Sequence, residues 1–517
     1  MANLRKDDLM ILVSSMNRAE KRHFRLFAKR NQSSENLLFI QLFDLLDRYQ
    51  KFDEELVLKR LPEIKKRQLS NIKSHLYKQL LRSLRLFHSK SMERIQLREM
   101  VDYAYVLYNK GLYRMALDQL EKSRSKAEEI SDFNQLYEVL EFTKYIESQY
   151  VTGSIEGRAE ELTTKASQVL DRIQKSCSFS NLSLQLYSLY LKVGYVKTQR
   201  DSIFVKEFFK ANLPSISYEE LDELARIQYC QAFVWYNHLL QDFAWTYRYA
   251  SKWVGVFLEN RSLIPLFPVL YLKGLHNLLN ALYNVLRYDS FVEALKLLEA
   301  FKKEYSFANA MNIEGLYYSF FYIHQIKHHF FTGAFGEGLK LVEPIMECID
   351  EGKYHWDEHR IMLFYYRIAC LYFGSGDNDE AILYLNKVIQ LKSPDYRADI
   401  QCFARILNLI AHFELGNERL VEYQVKSVYR FLLKSEELQE VQKEIFKFLR
   451  KTPRIRKEEL KKHFRELRNR LMYLQEDPYE KRAFLYLDII SWLDSKIEER
   501  KVGDVIRDKF LAVNLKE

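Results

Sequence analysis

Breakers are scarce in this 517-residue chain, which has 8 Pro and 15 Gly. Proline removes a backbone donor and glycine raises the entropic cost of regular structure, so their scarcity permits long uninterrupted helices. Cysteine is scarce too: Cys177, Cys230, Cys348, Cys370 and Cys402 are scattered and odd in number. That excludes a disulfide framework and makes a reducing cytoplasm the expectation. No run of 18 apolar residues occurs, and the N-terminal apolar run, Leu9–Val13, is too short for a membrane span or a signal-peptide core. There is no G-x-x-x-x-G-K-[ST] loop, no G-x-G-x-x-G after a strand and no G-x-S-x-G elbow. Gly333, Gly336 and Gly338 read as a helix-pair turn, not a phosphate cradle. The expectation is a soluble, non-enzymatic protein with no cofactor and no membrane partner.

What the chain has in abundance is apolar and aromatic mass: 48% apolar residues, with 35 Tyr and 34 Phe. Long helices packed through aromatic rings account for such a composition. A single compact core is not expected at this length unless the chain is a repeat array.

The clearest unit is Tyr365 to Pro394. Tyr365, Ile368, Ala369 and Tyr372 recur at helical spacing, and Gly374-Ser375-Gly376-Asp377 reads as a turn. Asp377 suits an N-cap with Glu380 as its capping-box partner; Ala381, Leu385, Val388 and Ile389 form the next apolar stripe, and Pro394 stops it. This stretch resembles a tetratricopeptide repeat, carried by Tyr365, Ile368, Ala369, Tyr372, Gly376, Ala381, Leu385 and Pro394, with the proline one residue late. Related turn features recur at Gly111, Gly153, Thr198 to Asp201, Gln241-Asp242, Asp289, Gly333 and Gly416, about 40 to 48 residues apart. The family period is about 34, so each helix here is about a turn longer.

The fold expected is therefore all-α: a right-handed superhelix of antiparallel helix pairs, a tetratricopeptide-like α-solenoid. A small N-terminal helical domain (1–92) precedes the array (93–434), and C-terminal helices (435–517) cap it. Within 1–92, helical patterns run from Lys6 to Lys29, Glu35 to Tyr49, Asp53 to Leu61 and Lys66 to His88, with breaks at Ser33-Ser34 and Pro62. Past 434 a break falls at Pro453, a last helix starts at Asp477-Pro478, and Gly503 onward reads as a tail.

In tetratricopeptide arrays the first helix of each pair lines the concave face. The resemblance places His276, Leu279, Tyr283 and Leu286 inward in one unit, and Phe320, Ile323, Lys327 and Phe330 in the next. Leu363, Tyr366, Cys370 and Phe373 follow in the third. These are either anchors for a protein or peptide partner or core side chains of a closed superhelix; both readings stand on the sequence.

Charge is uneven. Residues 1–92 carry 20 Lys and Arg against 10 Asp and Glu, and residues 64–92 have eight basic residues and no acid. On the Lys66–His88 helix, Arg67, Lys78, Arg82 and Arg85 lie opposite an apolar stripe, a basic ridge suited to nucleic acid or another polyanion, or simply to solvent. Residues 447–470, with eleven basic and three acidic residues, are a second such region. His355-Trp356-Asp357-Glu358-His359 formally matches H-x-x-E-H, a weak zinc-hydrolase signature at the start of a repeat helix. The leading expectation is a scaffold that binds a protein or peptide on the concave face. The alternative is a transcription or RNA regulator whose basic head is governed by a peptide-sensing array.

Overall fold

The computed structural model describes residues 8–30, 36–49, 54–149, 157–305, 310–391, 398–434, 438–452, 455–486 and 488–514. The expected break at Ser33-Ser34, the turn at Gly153, the stop at Pro394 and the break at Pro453 lie outside these residues. The described residues contain helices and turns and no strand. The chain divides into two compact units, 1–173 and 174–517.

The first unit contains α1 (Asp8–Ser15), α2 (Arg18–Arg30), α3 (Asn36–Tyr49), α4 (Glu54–Arg60), α5 (Lys66–His88), α6 (Glu93–Asn109), α7 (Tyr113–Glu129) and α8 (Phe133–Glu147). The division falls within α9 (Arg158–Val193). The continuous pattern from Lys6 to Lys29 is in fact two helices. Asn17 stops the run: its side chain accepts the Glu20 N–H at 2.9 Å while Glu20 accepts the Asn17 N–H at 2.8 Å, a reciprocal cap that starts α2. Phe24, Phe39, Phe43, Leu46, Leu69, Leu76 and Leu80 form the core that α2, α3 and α5 share. Helices α6, α7 and α8 pack in succession around Val101, Ala104, Ala116, Leu120, Val139 and Phe142.

The second unit continues with α10 (Gln199–Asn212), α11 (Glu223–Leu239), α12 (Phe243–Glu259), α13 (Leu263–Leu266), α14 (Pro268–Asn284), α15 (Tyr288–Glu304), α16 (Met311–Thr332), α17 (Phe335–Gly338), α18 (Val342–Asp350), α19 (Glu358–Ser375) and α20 (Asn378–Gln390). It ends with α21 (Ala398–Glu414), α22 (Glu418–Lys434), α23 (Glu440–Lys451), α24 (Lys457–Gln475), α25 (Lys481–Tyr486), α26 (Ile489–Glu498) and α27 (Val502–Asn514). First helices begin at Glu223, Pro268, Met311, Glu358, Ala398 and Glu440, 40 to 47 residues apart. This is the physical form of the repeat.

One turn builds the repeat. At Gly376 the chain enters the left-handed region (φ 95°) and the Asp377 N–H donates to the Tyr372 carbonyl at 2.9 Å. Asp377 then accepts the Glu380 N–H at 3.1 Å and starts α20. The same backward bond with a left-handed residue recurs at Gly111, Gly333 and Gly416, and also at Ser131, Gln241, Leu286 and Glu499. It satisfies a helix-end carbonyl and reverses the chain. In the Asp289 unit the reversal therefore sits at Leu286, and Asp289 is already helical. Gly374, expected in the turn, is also helical and buried. A Cβ there would strike the Phe335 ring, and one on Gly338 would lie 2.6 Å from Leu371 Cδ2. These glycines let α17 and α19 approach closely.

The C-terminal segment differs from its sequence reading. The expected last helix is two, with Asp488 accepting the Ser491 N–H at 2.9 Å to cap α26. The expected tail is α27. It packs on α16 and α19, with Gly503 against Gly333 and Phe510 edge-on to Tyr288 at 4.6 Å.

Candidate functional site

The inward positions of the second unit are largely occupied by packing. Leu279, Phe320, Ile323, Tyr366, Phe373 and Lys327 are buried. His276, Tyr283, Phe330, Leu363 and Cys370 are half-buried, and Leu286 alone is exposed, at 67%. The C-terminal segment draws the ends of this unit together. Arg482 pairs with Asp399 of α21 at 3.1 Å and lies 3.0 Å from the centroid of Tyr195, which precedes α10. Tyr479 packs into the cluster of Leu182, Leu186, Tyr190 and Trp235.

Inside the unit, polar side chains from α14 and α16 form a line. Lys327 Nζ donates to Asn280 Oδ1 at 2.7 Å and lies 4.4 Å from the Tyr283 ring centroid. Asn280 Nδ2 donates to His276 Nε2 at 2.9 Å, and His276 Nδ1 lies 3.0 Å from His324 Nε2. Since Lys327 fixes the amide orientation, His276 carries its proton on Nδ1 and donates it to His324. His276 also stacks on Phe320 at 4.0 Å. Burial, with Lys327 and Arg367 nearby, holds His276 well below the ordinary imidazole range, and His324 likewise. Burial pushes the Cys370 thiol up to about 12, which keeps it protonated.

A different surface lies open in the first unit, on the first helices α6 and α8. Tyr105 stacks on Phe142 at 4.0 Å, and Tyr108 meets Phe142 at 5.6 Å and Tyr145 at 5.8 Å. The Tyr108 hydroxyl donates to Gln149 Oε1 at 3.0 Å. Together with Asn109, Tyr137, Glu138 and Glu141 these rings line a cleft of about 610 Å³. Tyr105 and Tyr145 are exposed, as are Tyr103, Val106 and Met115. The sequence signal was available: Tyr137, Glu141 and Tyr145 fall one helical turn apart, and Tyr105 and Tyr108 lie three apart.

Residues 364–395, the α19–α20 pair, match the family model described as Tetratricopeptide repeat. That pair is thus similar to a tetratricopeptide repeat, and the helix pairs of the described residues fit a helical-repeat architecture of that kind. No curated protein matches the chain.

Around this tetratricopeptide-like framework the remaining sequence candidates fall as follows. Arg67, Lys78, Arg82 and Arg85 are all exposed on α5. Arg85 pairs with Asp102 at 3.3 Å, and Arg82 and Arg85 line a cleft of about 520 Å³ with Phe27, Ala28, Phe39, Gln79 and Leu86. The basic stretch 447–470 is more neutralised: Lys447 and Arg470 share Glu444, Arg468 meets Asp494, and Lys461 meets Glu499. His355 precedes α19 in a left-handed conformation (φ 49°), so it does not share a helical face with His359. Trp356 between them donates Nε1–H to the Gly315 carbonyl at 2.9 Å. All five cysteines are free. Among the described residues, no helix is long and apolar enough to cross a membrane.

Proposed function

We propose that the protein is a non-enzymatic scaffold whose repeat array binds a protein or peptide partner on the face lined by first helices. The observation that carries this reading is the open aromatic cleft on α6 and α8. Five aromatic side chains, two of them exposed, surround it, with Glu138 and Glu141 among its lining residues. Exposed clustered tyrosines of this kind bring large contact area at low conformational-entropy cost. The inward residues of the second unit, His276, Leu279, Tyr283, Phe320, Ile323, Phe330, Tyr366 and Phe373, then serve chiefly as the core and lining of the array. The acidic lining favours a partner segment bearing lysine or arginine, which tyrosine faces also attract. A photo-crosslinking residue placed at Tyr105 or Tyr145 is expected to capture a discrete partner in cells. The same residue at Tyr423, 80% exposed on α22, is expected to capture none. Equal labelling from both positions, or none from the cleft, ends the proposal.

The exposed ridge on α5 supports a second reading, contact with a polyanion through Arg67, Lys78, Arg82 and Arg85. Each phosphate neutralised adds about 0.9 to the log–log salt slope. Binding of the whole chain to duplex DNA or structured RNA, measured across salt, tests it. Absence of binding at low salt removes it.

A further inference from the structure

We propose that the interior of the second unit holds a site for a small oxyanion, a carboxylate or phosphate head, gripped by Lys327 with His276 and Arg367 beside it. Lys327 is buried on α16, and among the described residues its ammonium pairs with no carboxylate. Its one hydrogen-bond acceptor is the neutral amide of Asn280. An ammonium carries three donors, and burying it without an opposite charge is costly unless something else supplies that charge.

The charged groups that bear on His276 include Lys327, Arg367, Arg360 and His238, contributed by α16, α19 and α11. The acid felt nearby, at Tyr283, is Asp488, an exposed residue engaged in capping α26. The polar chain also ends in an unmet donor. With His276 donating to His324 Nε2, the His324 proton resides on Nδ1, which is buried and has no hydrogen-bond partner among the described residues.

Asn280, Tyr283, Arg367, Cys370 and His276, on α14 and α19, are half-buried rather than sealed from solvent. Closure of the unit through Arg482, Asp399 and Tyr195 favours a small ion over a polypeptide segment. Burial and Arg367 push Lys327 well below its ordinary range. A bound oxyanion restores the charged form and accepts the two donors that Asn280 leaves free.

The test uses the full chain and two probes, inorganic phosphate and succinate, each titrated against chloride at matched ionic strength while thermal stability is recorded. The expected result is a saturable rise in Tm with at least one probe, and the responding probe distinguishes a phosphate from a carboxylate site. Lys327→Met is expected to abolish the saturable rise. Asn280→Asp installs a carboxylate within reach of Lys327. It is expected to raise Tm without added anion and to remove the response, which decides the matter should Lys327→Met fail to fold. A wild-type chain indifferent to both probes overturns the proposal. So does a response that survives Asn280→Asp, which marks adventitious surface binding.

Discussion

The repeated turn makes a paired prediction of opposite signs. At Leu286 the chain adopts φ 57° with a leucine side chain that is 67% exposed. A left-handed L-residue costs about 1–2 kcal/mol, and so exposed a side chain recovers little of it by packing. Glycine removes that strain but loses more entropy on folding, by about 0.5–1 kcal/mol. Leu286→Gly is therefore expected to stabilise the second unit by about 0.5–1 kcal/mol. At Gly376 the geometry is the same (φ 95°) and nothing lies within 4 Å of an added Cβ. Gly376→Ala thus introduces strain without collision and is expected to cost about 1 kcal/mol. Hydrogen exchange resolved to α14–α15 and α19–α20 reads each change locally, which suits a multi-unit chain whose global unfolding need not be two-state. Destabilisation by Leu286→Gly, or indifference to Gly376→Ala, refutes the view that one backbone turn defines the repeat.

Other expectations follow from the same contacts. Gly374→Ala drives a methyl into the Phe335 ring and is expected to cost about 1–3 kcal/mol in urea unfolding. Arg482→Ala removes the pair to Asp399 and the contact with Tyr195. It is expected to destabilise by about 2–3 kcal/mol and to raise exchange in both α10–α11 and α21. His276 and His324 have folded pKa values below the ordinary imidazole value of 6.5, so the unfolded chain binds more protons as the medium acidifies. Their contribution is fully present above about pH 6.5 and lost below it, at up to about 1.4 kcal/mol per pH unit for each. A pH series of urea midpoints checks this, and His276→Gln is expected to flatten the slope. Tyr105→Ala with Tyr145→Ala is expected to leave the urea midpoint nearly unchanged while abolishing partner capture.

Where glycine marks the turn the architecture is legible in the sequence, and where another residue takes the left-handed position it is not. Gly111, Gly333, Gly376 and Gly416 announce their reversals; Ser131 and Leu286 do not, because a backward hydrogen bond, joined at Ser131 by the Asp132 cap, holds them in place. Helix α5 runs from Lys66 to His88 as its apolar stripe predicts, since Leu69, Leu76 and Leu80 are buried at steps of seven and four. The break at Asn17 was recoverable from its partner Glu20, three residues on. Arg482 and α27 were not recoverable, because their contacts depend on residues far along the chain.

That distance explains why the family register names positions without deciding their role. His276, Tyr283 and Tyr366 occupy inward positions of first helices, as Tyr105 and Tyr145 occupy exposed positions of α6 and α8. Composition does not separate them: each set is aromatic with a few polar members. In the second unit, Arg482 and Tyr479 bring the last helices onto Tyr195 and its neighbours, and the positions that the register places inward are buried or half-buried, Leu286 excepted. The Lys327–Asn280–His276–His324 line lies inside this unit, and the same side chains on a fully open face would be solvated and ordinary. Opening the unit by Arg482→Ala should therefore do more than lower its stability. It should move the Lys327 amine toward its ordinary pKa, and a shift to higher pH in the pH dependence of its acetylation rate, read by mass spectrometry, is the expected mark. A pH dependence unchanged by Arg482→Ala would show that local packing of α14 and α16, not closure, sets the environment of this lysine.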